Sequence, residues 1–451
     1  MHLKILFFFR TLYKDYKTLF KNPLTHQKMT EEFLQFVWEQ KLFNTGNLKT
    51  VTGKTLEIIE AGTLNTDSGP DFFNARIKMD NTIWAGNIEI HKMASDWYRH
   101  QHQEDEAYDT VILHVVHRYD QQILRSDGEE IPTLVLPVPD HVLANYQQLI
   151  NSAAWIPCQE KIHLMDEFVL KIGFNRLMIE RLQERTSEIT ERLKQNNHDW
   201  NETFYQLLAR SFGFKTNAVP FELLAKSTPS GILGKHRDNL LQLEALLFGQ
   251  SGLLHQELLG DNNYLKLRAE YEFLAGKYHL KPIAGYLWKF LRIRPVNFPT
   301  IRIAQFAALF YKNDRIFSIL NENISLSQLK ELFNVTASPY WNNHYRFNQI
   351  SGNGQKHLGE TAADGLIINC VIPFIFVYGE QTEKYFLKDK ALEWLDQLPS
   401  EENLIVSGWN NLAIFASTAF ESQALLQLKN RYCDRKRCLH CHIGSKLIRS
   451  C

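Results

Sequence analysis

The chain is poor in cysteine, with six in 451 residues. That number cannot staple a protein of this length, so a disulfide scaffold is excluded. It also lacks a net charge, because 50 basic residues balance 50 acidic ones. No global positive field exists to gather nucleic acid, and any such binding must come from a local patch. No run approaches the roughly 18 continuous apolar residues of a bilayer-spanning helix. The apolar start, Ile5–Phe9, is too short for a signal-peptide core and has no small-residue cleavage site. No solenoid-type repeat is visible. These absences point to an ordinary globular protein, cytoplasmic by default, with no membrane partner. Its length suggests two or three domains.

Residues 1–28 read as an upstream-start extension or a loose tail, and Met29-Thr30-Glu31-Glu32 as a cleaner beginning, with Thr30 capping a helix. Residues 30–42 carry an apolar stripe at helical spacing. The period then changes. Strands are predicted over 55–60, 75–79, 82–91, 109–117 and 134–136, with a tight turn at Asp80-Asn81 and a turn-rich loop over 61–70. The run 109–117 is so rich in β-branched residues that it should be central and buried on both faces. Residues 29–155 therefore make an α/β domain on a mixed sheet. From 156 to 430 the pattern is helical, with prolines and glycines falling between helices. Residues 431–451 form a short, basic, cysteine-rich end.

Four constellations carry chemistry. The first is Asp71, Glu89 and His91. Glu89 and His91 sit two apart on a strand and share a face. Two carboxylates would suit Mg²⁺, and the basic group could position a water. A two-residue turn at 80–81 sets Asp71 opposite Ile90, on the wrong face. One extra loop residue, or a bulge at Gly86, would correct this, since a slip of one residue flips every side chain.

The second is histidine-rich: His91, His100, His102, His114 and His117 fall within 27 positions. His100 and His102 could bind Zn²⁺ or contact phosphate. His114 and His117 face opposite ways on their strand, and His114 reads as a core histidine. The third is Cys433-x4-Cys438-x2-Cys441, a spacing suited to Zn²⁺ or an iron–sulfur cluster. The fourth ligand could be Cys158, Cys451, His440 or His442. The fourth is a proline-bounded basic stretch with Arg292, Arg294 and Arg302, joined by Lys289, which would suit phosphates or serve as a structural turn.

Gly69-Pro70-Asp71 followed by Glu89-Ile90-His91 at a strand end, then a helix and a buried strand, resembles the PD-(D/E)XK nuclease core. The resemblance covers about 110 residues. It implies a restriction-endonuclease-like α/β fold, Mg²⁺ on Asp71 and Glu89, and action on DNA or RNA phosphodiesters. In that pattern a lysine follows the glutamate by two residues. Here His91 stands in its place, and Lys92 comes one position late. An acid on the first helix contributes in some members, and Glu32 or Glu39 could match it.

From Met29 onward the chain also resembles an uncharacterised bacterial family, domain of unknown function 2851. The resemblance rests on Asp67–Phe72, Gly86–His91, Ser95–Tyr98, Val111–His114, Arg294–Pro299 and Tyr432–Gly444. It brings no established activity. Three readings stand open: a metal-dependent nuclease or nuclease-derived protein, a non-catalytic binding or scaffold protein with a structural metal, and a zinc hydrolase using the clustered histidines.

Overall fold

In a computed structural model the chain forms two compact units. The structure describes residues 29–254, 260–313, 316–320, 322 and 324–450; the proposed tail over 1–28 lies outside the described residues. The first unit runs to Asp166 and takes in the segment from Asn430 onward, and the second is Glu167–Lys429. The cysteine-rich end therefore belongs to the α/β unit.

The first unit opens with helix α1, Glu31–Glu39, where the Thr30 hydroxyl accepts the Phe33 N–H and caps the first turn. Phe33, Leu34, Phe36, Val37 and Trp38 are buried. A seven-stranded sheet follows, comprising β1 Leu48–Lys49, β2 Thr55–Glu60, β3 Thr63–Leu64, β4 Phe72–Met79, β5 Thr82–Met93, β6 Val111–Arg118 and β7 Thr133–Val135. The strand order is β1-β2-β4-β5-β6-β7, with β3 also paired to β4. Pairing is antiparallel from β1 to β5 and parallel from β5 through β6 to β7. The sheet is mixed, as the strand pattern implies. Between β5 and β6 stands the short helix α2, Asp96–Arg99, and α3, Asp140–Asn151, comes after the sheet. Residues Val111–Val116 of β6 are all buried, which explains their unbroken apolar run.

The β4–β5 hairpin supplies the register that the site needs. Met79 pairs with Thr82, and pairing stays in step as far as Ala75↔Gly86. Beyond that, Phe72 faces Ile88, one residue out of step. The extra residue lies at Asn74, whose φ of 57° is left-handed and whose N–H donates to Asn87 Oδ1 at 3.2 Å. Asp71 therefore stands opposite Glu89. The slip is on β4 and not at Gly86.

Gly86 has a different duty. A Cβ there would stand 2.4 Å from Ile112 Cγ2 and 2.6 Å from Thr110 O. β6 lies too close for any side chain. Gly86→Ala is expected to destabilise the first unit by about 1–3 kcal/mol, the usual cost of overpacking. Thermal unfolding checks this, and an unchanged midpoint would contradict so tight an approach.

The second unit is helical, with helices that include Glu167–Gln195, Trp200–Phe212, Leu240–Gln250, Asn262–Tyr278, Pro299–Lys312 and Ala419–Gln427. Its core gathers Phe212, Phe221, Phe248, Phe306 and Trp341. Two expectations need correction. One helical stretch, Glu360–Gln381, is long and apolar enough to cross a membrane, although most of its apolar window is buried inside the protein, as in a core helix. That stretch also contains Pro373 in its interior. The proline has no N–H to donate four residues back, and the preceding turn, Ile367–Val371, widens to a π-helix, which accommodates the ring.

Candidate metal centre

The α1 face, the β4 bulge, the end of β5 and the α2–β6 connection all supply residues to one site. Asp71 N–H donates to Glu89 Oε2 at 3.1 Å, and Asp71 Oδ2 accepts the Ile90 N–H at 2.9 Å. Asp71 Oδ1 accepts from Gln35 Nε2 of α1 at 2.8 Å. The two carboxylates are locked together by backbone donors on adjacent strands.

On the other side of Glu89 are the imidazoles. His91 Nε2 and His102 Nε2 each lie 3.3 Å from Glu89 Oε1. His100 Nδ1 stands 3.1 Å from His91 Nε2. Ligand atoms of His91, His100 and His102 all lie within 4.8 Å of one another. Four donors bonded at about 2.0–2.1 Å to one tetrahedral ion stand about 3.3 Å apart. Three contacts, Glu89–His91, Glu89–His102 and His91–His100, have that length at 3.1–3.3 Å.

Local structure explains how two histidines reach β5. Asp96, buried, accepts the Met93 N–H at 3.1 Å and pairs with Arg99 at 2.9 Å, which fixes α2 against the strand end. His100 closes α2 through its own N–H to Asp96 O at 2.9 Å. Gln101 then takes a left-handed φ of 61° and turns the chain so that His102 faces back to the sheet. Tyr108 stacks on the His102 ring at 3.8 Å, and buried Trp97 meets it edge-on at 5.3 Å. Glu89 is in register with His114 on parallel β6, so the two share a face. His114 is wholly buried, and its Nε2 lies 2.8 Å from His91 Nδ1. It is a core histidine that also hydrogen-bonds the His91 ring. Where His91 Nδ1 is the donor in that contact, His91 Nε2 carries its lone pair toward the site.

The electrostatics are those of buried, crowded ionisable groups. Burial pushes the Asp71 carboxyl up to about 7, with the Glu89 charge adding to it. Burial likewise pushes Glu89 up to about 8. Burial, and then the neighbouring imidazoles, hold His91 down to about 2, and burial holds His114 down to about 3. Burial also lowers His102. The acids resist ionising while the imidazoles stay neutral. The buried Nε2 of His102 and Oε1 of Glu31 make no hydrogen bond. A divalent cation would relieve these strains together. The donor set fits Zn²⁺ or a similar transition ion better than Mg²⁺, which prefers oxygen and water.

The helix acid is not where the pattern places it. Glu32 is exposed and pairs with His440 at 2.6 Å, and Glu39 is exposed as well. Glu31 takes the place, and its charge bears on Asp71, Glu89 and His102. Glu31 and Gln35 are one turn apart on α1 and share the inward face; that i, i+4 spacing was the available signal.

The remaining expected sites lie elsewhere. Cys158, Cys433, Cys438 and Cys441 are all buried in the first unit, and Cys451 lies outside the described residues. His440 is committed to Glu32. In the second unit Arg294 is exposed at the start of a short 3₁₀ turn. Arg302 is buried, donates to Gln305 and Asn297, and lies 4.6 Å over the Phe214 ring. Arg294 and Arg302 therefore do not form one basic edge, and Arg302 is a packing residue.

No curated protein and no solved structure matches the chain. A family model described as "Protein of unknown function (DUF2851)" matches residues 31–404, which span α1, the whole sheet and most of the helical unit. The Asp71–Glu89–histidine site lies entirely within that match, and the chain belongs to the DUF2851 family.

Proposed function

We propose that the first unit is a divalent-metal-dependent hydrolase acting on nucleic-acid phosphodiesters. The observation that carries this reading is the gathering of His91 and His102 nitrogens 3.3 Å from Glu89 Oε1, with Asp71 bonded to the same carboxylate. A metal bound by Glu89, His91, His100 and His102 would act as a Lewis acid and lower the pKa of a bound water. The residues supply the rest. Glu89 brings the negative charge, and His114 fixes the His91 tautomer. Asp71, whose carboxyl stands near neutrality, is placed to take or hold a proton. His91, held neutral, serves as a ligand and not as the base expected from its place in the motif.

The substrate class rests on the order of elements. A helix bearing Glu31 precedes an antiparallel hairpin bearing Asp71 and Glu89, which is followed by a buried parallel strand. This supports the likeness to the PD-(D/E)XK core. The imidazole-rich donor set sets the metal apart, favouring Zn²⁺ or another imidazole-binding transition ion over the Mg²⁺ of that pattern.

The test uses the full chain, stripped of metal and reloaded with Mg²⁺, Mn²⁺ or Zn²⁺, with single- and double-stranded DNA and RNA as substrates. The expected result is cleavage that depends on the added ion and is strongest with a transition metal. Absence of cleavage with every ion and substrate would overturn the nuclease reading and leave a binding or scaffold role.

A further inference from the structure

The second unit carries a stretch whose charge is one-sided. From Phe273 to Asn313 the chain has no aspartate or glutamate, against seven lysines and arginines. In a chain whose charges otherwise balance, this is a local positive field. Four of those cations, Lys281, Lys289, Arg292 and Arg294, are exposed on one short, largely irregular stretch around the turn Gly285–Leu287. Arg302 is turned inward and takes no part beyond donating to Asn297. Arg346, at the end of the short strand His344–Arg346, brings a further charge. Its guanidinium lies 4.5 Å from the Phe290 ring and 5.0 Å from the Phe298 ring.

The backbone of this stretch is pinned at several points. Ile283 N–H donates to Gln250 O at 2.8 Å, and a Cβ on Gly252 would stand 2.4 Å from Ile283 O, so the two backbones touch. Buried Trp288 donates its Nε1–H to Ser251 O at 2.8 Å. Buried Asn217 clamps Lys289, accepting its N–H at 2.9 Å and donating to its carbonyl at 3.0 Å. Arg292 takes a left-handed φ of 59°, uncommon for a residue with a side chain. Between and beside these anchors Tyr286 and Leu291 are 87% and 85% exposed. A large aromatic held in water on a fixed turn, among lysines and arginines, offers a π face that costs little ordering to use.

Phosphates suit the cations and a base suits the ring. We propose that the stretch from Lys281 to Arg294, with Arg346, binds single-stranded nucleic acid, its cations following the phosphates and Tyr286 stacking on a base. A positively charged track interleaved with an exposed aromatic is what a strand with unstacked bases requires. A duplex keeps its base faces covered and would leave Tyr286 without a partner. An anionic membrane is met by a helix with a continuous apolar face, and this stretch is a series of turns. The choice of ligand rests on the hydrolase reading and narrows its substrate to a single strand, but the binding itself needs no metal.

The experiment follows the anisotropy of labelled oligothymidylate with the full chain in EDTA, so that binding is read without cleavage. Affinity should fall with salt, the logarithmic slope carrying about 0.7 for each phosphate contacted. The triple variant Lys289→Ala, Arg292→Ala, Arg294→Ala should flatten that slope by about 2. Tyr286→Ala should weaken binding roughly 5- to 150-fold, and Tyr286→Phe should keep it. Lys171→Ala with Lys194→Ala, exposed cations near the two ends of Glu167–Gln195, should change neither. All these side chains are exposed, so the variants should fold, which thermal unfolding checks. Absence of binding, equal binding of a duplex, preference for phosphatidylserine vesicles, or unchanged affinity in the folded triple and Tyr286→Ala variants would overturn the proposal. The hydrolase reading is tested apart from it. Strand binding without cleavage would remove the enzyme and leave this surface, and metal-dependent cleavage with affinity intact in these variants would do the reverse.

Discussion

Glu89→Gln is expected to abolish both metal binding at the histidine site and metal-dependent hydrolysis. Glu89 Oε1 is the atom shared by His91 and His102, and Glu89 Oε2 is the acceptor for Asp71 N–H. The amide keeps the shape and removes the carboxylate charge that these contacts share. Loss of an outer-shell partner alone costs roughly 10–100-fold in metal affinity, so loss of a charged ligand should exceed about 100-fold. Competition with a metal-sensitive dye measures the affinity, and initial cleavage rates measure the activity. Asp71→Asn should retain more metal, because it deletes a charge beside the ligand set and not within it. Its defect should fall mainly on the rate. Glu57→Gln, on the exposed side of β2, serves as the control and should change neither. A Glu89→Gln protein that binds metal and cleaves like the wild type would remove Glu89 from the site.

The second large effect is on stability against pH in the metal-free protein. Asp71 and Glu89 have folded pKa values raised to about 7 and about 8, against ordinary values of 3.8 and 4.5. Above about pH 5 the unfolded chain has released these protons while the folded protein still holds them. Stability therefore falls as pH rises, and the loss is largely complete once pH passes through the folded values. The imidazoles have the opposite sign. His91 and His114 are held down to about 2 and about 3, so below 6.5 the unfolded chain binds protons that the folded one refuses. Stability from these groups falls as pH drops. Between about pH 5 and 6 the two trends nearly cancel, and above 6.5 only the acids remain. From pH 6.5 to 8 the first unit is expected to lose on the order of 2 kcal/mol. Added Zn²⁺ should reverse this, because a bound cation favours the ionised acids, and its stabilisation should grow with pH. Thermal unfolding at fixed ionic strength, with and without metal, gives the curves. A metal-free protein that grows more stable between pH 6.5 and 8 would show that the buried acids are not protonated there.

Much of this was legible in the sequence because it depends on local periodicity. The strand at 55–60, the strand at 82–93 as far as His91, the buried run of β6 and the long helices follow from period and composition. So does the pairing of Glu89 with His91 on one face, since alternation along a strand is fixed by backbone geometry. The crowding of His100 and His102 near them was visible as an excess, but their direction was not. It depends on the left-handed turn at Gln101, which single-residue propensities do not specify.

By itself the sequence determined a mixed sheet followed by helices and the residue types of the site. Only the tertiary structure decided whether those residues meet. Asp71 reaches Glu89 through one extra residue at Asn74, and a bulge in either strand would have served the alternation equally well. Glu31 was chosen over Glu32 and Glu39 by the roll of α1 on the sheet, which is set by the burial of Phe33, Val37 and Trp38. Arg302 was turned inward by the packing of its helix, although its charge marked it for the surface. The gathering of Cys158 with the C-terminal thiols required a contact across most of the chain, which no local signal encodes. Local patterns fix what each segment can present. The packing of one segment on another selects which of those groups share a site.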